Sequence, residues 1–146
     1  YYFARKHQIS FWQMADIFIV PLSLGQALGR IGNFINGELY GRITDVSWAV
    51  QFPDGEGFRH PSPLYEAFYD IVIFGILFSI RNKKLPQGTS IALFLILYAV
   101  FRSITELFRE PDYYIGPLTV GQFLNVFVLI AGVGLLYWSK KRKKML

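Results

Sequence analysis

Residues 15–42 read ADIFIVPLSLGQALGRIGNFINGELYGR. The first half is apolar enough to enter a bilayer, and the second half brings Arg30, Asn33, Asn36 and Glu38 to the end of that run. Polar groups placed there are costly unless something uses them. The stretch therefore predicts a membrane helix that ends in a site.

Three more runs fit the same description. PLYEAFYDIVIFGILFSI (63–80), TSIALFLILYAVFRSITELF (89–108) and PLTVGQFLNVFVLIAGVGLLYW (117–138) are each close to the length that crosses a bilayer as a helix. With the first span at about 13–32, the expected fold is all-α: one polytopic transmembrane domain over 1–146, with four spans and an extracytoplasmic loop between the first two. The composition agrees: 53% hydrophobic and 18% aromatic residues are too apolar for a water-soluble domain. Period-two alternation, the mark of a transmembrane barrel, is absent. The chain has no cysteine, which removes a disulfide framework and a thiol nucleophile from the residues present. His7 and His60 are too few and too far apart for a metal site. The sequence opens YYFARKH rather than with Met, and reads as the C-terminal part of a longer membrane protein.

Charge assigns the faces. If spans alternate, Arg5 and Lys6, then Arg81, Lys83 and Lys84, then KKRKK at 140–144 share one face. That face gathers ten of the fifteen basic residues and is expected to be cytoplasmic. The opposite face receives the loop from about 33 to 62 and the turn EPDYYIG at 110–116. Its five basic residues, Arg30, Arg42, Arg59, Arg102 and Arg109, are all arginine. Guanidinium keeps its charge in a low dielectric and grips phosphate with two parallel donors, which ammonium cannot copy.

The spacing of these residues points to an anion site. Arg102, Glu106 and Arg109 fall at i, i+4 and i+7, a pattern that stacks them along one helix face, with Tyr98 one turn deeper and Ser103 and Thr105 nearby. Two arginines around one glutamate leave a positive surplus. In the first span, Gly25 and Gly29 permit close helix approach, and Arg30 and Asn33 share a face beyond them. Gly32, Gly37 and Gly41 allow the chain to turn sharply over a ligand. A helix end snorkelling into headgroups explains Arg30 alone, but not Arg, Asn, Asn and Glu interleaved with glycine. In RHPSPLYE (59–66), Pro61 and Pro63 stiffen the entry to the second span, and Tyr65 and Glu66 sit near the interface with Asp70 one turn below. His60 is a candidate base, since imidazole exchanges protons near neutrality; the ordinary reading is a solvated loop histidine. Gln122 and Asn125 share a face of the last span, where interhelical hydrogen bonding is expected.

These segments together resemble the prolipoprotein diacylglyceryl transferase family. GRIGNFINGELYGR (29–42) looks like the family signature, and HPSPLYE, YAVFRSITELFREPD and the VGQ opening the last span agree in the family's order. The resemblance implies that Arg30, Asn33, Glu38, Arg102 and Glu106 serve catalysis. It extends to Gly41 and Tyr98, so that the expected substrate-binding residues are Arg30, Gly41, Tyr98 and Arg102, together with Tyr65 and Arg109 from the reading of the residues above, and His60 is a further candidate. It also implies transfer of the diacylglyceryl group of phosphatidylglycerol to the lipobox cysteine of a preprolipoprotein. The products would be a thioether and glycerol phosphate. The setting would be the bacterial inner membrane, with the site extracytoplasmic, the C-terminus cytoplasmic, and no metal, nucleotide cofactor or nucleic-acid partner. Arg30 and Arg102 would grip the phosphate and Glu106 would orient Arg102. Two departures stand out: Pro63 occupies a position where the family pattern has Gln, and a glycine-rich segment with a histidine is expected upstream of Tyr1. The competing class is a non-enzymatic carrier for an organic anion, which would use the same arginines but show repeated halves and a polar path across the membrane.

Overall fold

The computed structural model describes residues 2–110 and 113–143. Among the described residues, four helical segments are long and apolar enough to cross a membrane: Phe11–Ile35, Ser62–Ile80, Thr89–Phe108 and Val120–Arg142. In chain order the elements are α1 (Tyr2–Lys6), α2 (Phe11–Ile35), β1 (Val50–Gln51), β2 (Phe58–Arg59), α3 (Ser62–Ile80), α4 (Thr89–Thr105), a 3-10 turn (Glu106–Phe108), β3 (Tyr114–Ile115), β4 (Leu118–Thr119) and α5 (Val120–Lys143). The helices run up and down. α2 packs along α3, α4 along α5, and α3 against α4 joins the two pairs.

The packing is turned inside out relative to a water-soluble bundle. Phe18, Leu28, Phe68 and Ile130 are exposed, whereas Ser23, Ser62, Glu66 and Asp70 are buried. Apolar surface faces outward without penalty where the solvent is hydrocarbon, and small or polar residues are then free to join helices inside. Between the two ends lies a modest apolar core of Ile19, Val20, Tyr69, Ile73, Leu77 and Phe94.

The two ends are built differently. At one, Asp16 of α2 caps α4: its carboxylate oxygens accept from the Gly88 N–H at 2.6 Å and the Ile91 N–H at 3.0 Å. The first N–H groups of a helix lack internal partners, and a carboxylate also suits the positive end of its dipole. This explains the one acidic residue on the otherwise basic face. Thr89 and Ser139 join α4 to α5 there, and the Trp12 and Trp138 rings lie 5.3 Å apart. At the other end, the loop after α2 is pinned to the turn after α4. The Gly41 N–H donates to His60 O at 2.8 Å, the His60 N–H to Arg42 O at 3.0 Å, and the Arg42 N–H to Phe108 O at 2.9 Å. A Cβ at position 41 would strike the Phe108 carbonyl oxygen, so only glycine lets these three segments cross.

Several expectations need correction in detail. α2 is longer than 13–32 at both ends. The last helix begins at Val120 rather than 117, because Leu118–Thr119 pairs with Tyr114–Ile115 in an antiparallel hairpin. A second hairpin, Val50–Gln51 with Phe58–Arg59, folds the long loop, so the helical chain carries two small β elements. Arg109 does not continue the face of Arg102 and Glu106, since α4 gives way to the 3-10 turn and Arg109 is extended (φ −91°, ψ 154°). Pro111 and Asp112 of the EPDYYIG turn, and Lys144 of the basic tail, lie outside the described residues.

Candidate active site

Glu66 is the centre of the polar end. It enters on the second turn of α3, after Pro61 and Pro63 have set the start of that helix, and is fully buried. Three guanidinium groups from different segments close on it. Arg30 of α2 brings Nε to Oε2 at 2.7 Å, Arg102 of α4 brings Nη1 to Oε1 at 2.9 Å, and Arg109 brings Nη1 to the same oxygen at 3.1 Å. The arginine side chains stay 25%, 15% and 18% exposed, so the carboxylate sits behind a guanidinium wall. A buried charge this deep is tolerated only when paired on every side.

Glu106 extends the network. Its Oε2 lies 3.0 Å from Arg102 Nη2, and its Oε1 accepts from Thr119 Oγ1 at 3.1 Å. Thr119 belongs to a capping box. Its Oγ1 accepts from the Gln122 N–H at 3.1 Å, while Gln122 Oε1 accepts from the Thr119 N–H at 3.2 Å. Gln122 thus caps its own helix instead of bonding to a neighbour, whereas Asn125 does reach across, donating to Ser103 Oγ at 3.3 Å. Gly121 makes room for the Glu106 carboxylate, which a Cβ would meet at 2.7 Å. Within the network of Glu66 and Glu106, three arginines face two glutamates, a surplus of one positive charge. Arg102 has both terminal nitrogens engaged, while Arg30 and Arg109 each spend one nitrogen on an ion pair.

The structure sorts the sequence-derived candidates into groups. Arg30, Arg102, Arg109 and Glu106 come together. Tyr98 packs on the Phe94 ring at 5.7 Å and edge-on to Tyr69 at 6.1 Å, on the core side of Arg102. Tyr65 and His60 form a neighbouring aromatic set: Tyr65 Oη accepts from Trp48 Nε1 at 2.7 Å and lies 3.1 Å from His60 Nδ1, and both rings abut Phe108. Asn33 is half-buried, with its carbonyl accepting from the Glu38 N–H at 2.8 Å. The Glu38 carboxylate is exposed and joins no ion pair among the described residues. Gly41 holds the loop crossing described above.

The other two arginines of this end are used otherwise. Arg59 is buried, donates to Glu56 O and Gly41 O, pairs with Glu110 at 2.8 Å and covers the Tyr40 ring. Arg42 donates to Arg109 O. Both knit backbone. The residue that sequence reasoning named at the interface but left out of the site is Glu66. The signal was present: Glu66 and Asp70, at i and i+4, are ionisable residues inside a span, the same argument that singled out Glu106.

Comparison with known proteins bears on this constellation. The family model described as prolipoprotein diacylglyceryl transferase matches residues 1–138. The chain belongs to that family. Curated relatives named phosphatidylglycerol–prolipoprotein diacylglyceryl transferase include one from Desulfotalea psychrophila, 41% identical over 97% of this chain and 57% of the relative. A relative from Chromohalobacter salexigens is 47% identical, covering 96% and 55%, and one from Chlorobaculum tepidum is 46% identical, covering 96% and 51%. The chain spans about half the length of the curated relatives it matches. Prolipoprotein diacylglyceryl transferases are membrane proteins, and the four apolar helices make this chain a multi-pass one.

Proposed function

We propose that the Glu66 end of this chain is part of an active site that transfers the diacylglyceryl group of phosphatidylglycerol to the lipobox cysteine of a preprolipoprotein, the first step of lipoprotein maturation. The observation that carries this reading is the convergence of Arg30, Arg102 and Arg109 on one buried carboxylate. In the reaction the cysteine sulfur forms a bond to a glycerol methylene carbon, the C–O bond to phosphate breaks, and glycerol phosphate leaves. The developing negative charge on the phosphate needs donors that are already in place in a water-poor setting. For that task Arg30 and Arg109 supply guanidinium nitrogens that join no ion pair among the described residues. Arg102, held on both sides by Glu66 and Glu106, supplies fixed charge and alignment. Asn33 and Glu38 would meet the glycerol headgroup or order the loop. The thiol proton goes to a base, and His60 is the imidazole at this end of the described chain.

We place the site on the extracytoplasmic side of the bacterial inner membrane and the C-terminus in the cytoplasm. Support comes from charge: Arg81, Lys83, Lys84 and residues 140–143 of the basic C-terminal run lie at the end of the bundle away from Glu66, and basic loops favour the cytoplasmic side. The layer between the ends is aliphatic and aromatic, around Ile73, Leu77 and Phe94, which favours a transferase over an anion carrier with a path across. The test is thioether formation on a lipobox peptide by the full-length protein in phosphatidylglycerol vesicles, read by mass spectrometry. Arg30→Ala should lower the rate by about 100-fold with membrane insertion intact; an undiminished rate would remove the phosphate-gripping role.

A further inference from the structure

A cavity lies at the other end of the bundle, between α2 and α3 and under the loop that follows α3. It has a volume of about 810 Å³, within the range of roughly 300–1,000 Å³ common for small-molecule sites. Its walls are mostly apolar, with Val20 and Leu24 on α2 and Phe74 and Phe78 on α3, and Gln13, Gln87 and Ser90 also border it. Its rim is basic, with Arg81 and Lys83. Arg81 is held at the mouth, donating to Phe78 O at 2.6 Å with its guanidinium carbon 3.4 Å from the Phe78 ring centroid. Asp16 also borders the cavity, but both its oxygens are committed to the Gly88 and Ile91 N–H groups. The mouth therefore presents two cations, and the one carboxylate beside it is already engaged.

An apolar slot between membrane helices with a basic mouth at the headgroup level matches an amphiphile with an anionic head. Ordinary lipid-facing surface would ask for apolar contact alone. We propose that this cavity holds one anionic phospholipid, its phosphate between Arg81 and Lys83 and an acyl chain along Val20, Leu24 and Phe74. The lipid is a resident one, remote from the arginine cluster, and no residue of that cluster enters the argument. The inference therefore stands or falls independently of the transferase reading.

The full-length protein, purified in a neutral maltoside detergent, is titrated with phosphatidylserine or with phosphatidylcholine of the same acyl chains, and bound lipid is counted by native mass spectrometry. One tightly held phosphatidylserine is expected, with weaker binding of the choline lipid. That adduct should persist in Arg30→Ala and weaken roughly tenfold or more in Arg81→Ala/Lys83→Ala, which removes both rim cations. Leu24→Trp fills the apolar part and leaves the rim intact, and it should weaken the adduct as well. Equal affinity for the two lipids, loss of the adduct in Arg30→Ala, or an unchanged adduct in either cavity variant overturns the proposal.

Discussion

The same side chain does opposite work a short distance apart. Arg30, Arg102 and Arg109 turn their charge onto Glu66 and keep part of each guanidinium exposed. Arg59 and Arg42 spend theirs largely on backbone carbonyls of the loop and of the turn after α4. The first group concentrates charge where an anion can reach it, and the second uses a planar five-donor group as a fastener. Residue type alone did not separate the two. The partner did: a buried carboxylate aligns guanidiniums toward a common point, while carbonyl oxygens of the loop take up the donors and leave fewer of them for an anion.

That contrast can be broken by substitution, and the largest effect is expected at its centre. Glu66→Gln should strip three arginines of their common partner. In the full-length protein it should lower lipidation of a lipobox peptide by about 100-fold or more and destabilise the fold by roughly 3–5 kcal/mol. Thermal unfolding in detergent beside the rate assay would measure both, and a stable, active Glu66→Gln protein would end the idea of a hub. Next comes Arg102→Lys, which keeps the charge but cannot bridge Glu66 and Glu106 with two nitrogens. A loss of about tenfold to 100-fold in rate is expected with normal membrane insertion; full activity would reduce Arg102 to a point charge.

The loop half of the comparison should respond in stability first. Gly41→Ala forces a methyl group against the Phe108 carbonyl oxygen and His60. It should cost about 1–3 kcal/mol of stability, with activity falling only as far as the loop displaces Arg109. The smallest effect is expected for Arg59→Ala, which frees Glu56, Gly41 and Glu110 from a shared donor. A loss of about 1–2 kcal/mol and faster proteolytic nicking of the loop between α2 and α3 should appear, with the rate of lipobox-peptide lipidation unchanged. If Arg59→Ala instead lowered the lipidation rate as much as Arg30→Ala does, the division between the two sets of arginines would fail.

Much of this was legible in the sequence, for identifiable reasons. Hydropathy over twenty residues is a one-dimensional signal, so the four spans appear before any contact is known. Arg30, Arg102 and Glu106 stood out because ionisable residues in apolar runs are rare. The convergence was not legible, because which helix faces which is fixed by tertiary packing. Glu66 could be noticed as a polar residue at an interface, but nothing along the chain says that three arginines from separate segments meet there. The path of Arg109 was hidden for another reason. Continuing the helix past Thr105 was the natural reading of i, i+4, i+7, and only the crossing at Gly41, with the Arg42 N–H on Phe108 O, draws the chain away. Gln122 was misjudged because a Thr-x-x-Gln capping box and an interhelical glutamine look alike until the helix start is known. Asp16 was the lone acid among bases until the first turn of α4 gave it two donors.

That last contact has a mechanical consequence. α2 is tethered to α4 by Asp16 at one extremity, and at the other both helices grip Glu66. A rod pinned at its two tips can neither slide nor roll against its neighbour. When the surrounding lipid thickens or thins and other helices answer by tilting, this pair must tilt as one piece, carrying its guanidinium groups along without changing their spacing.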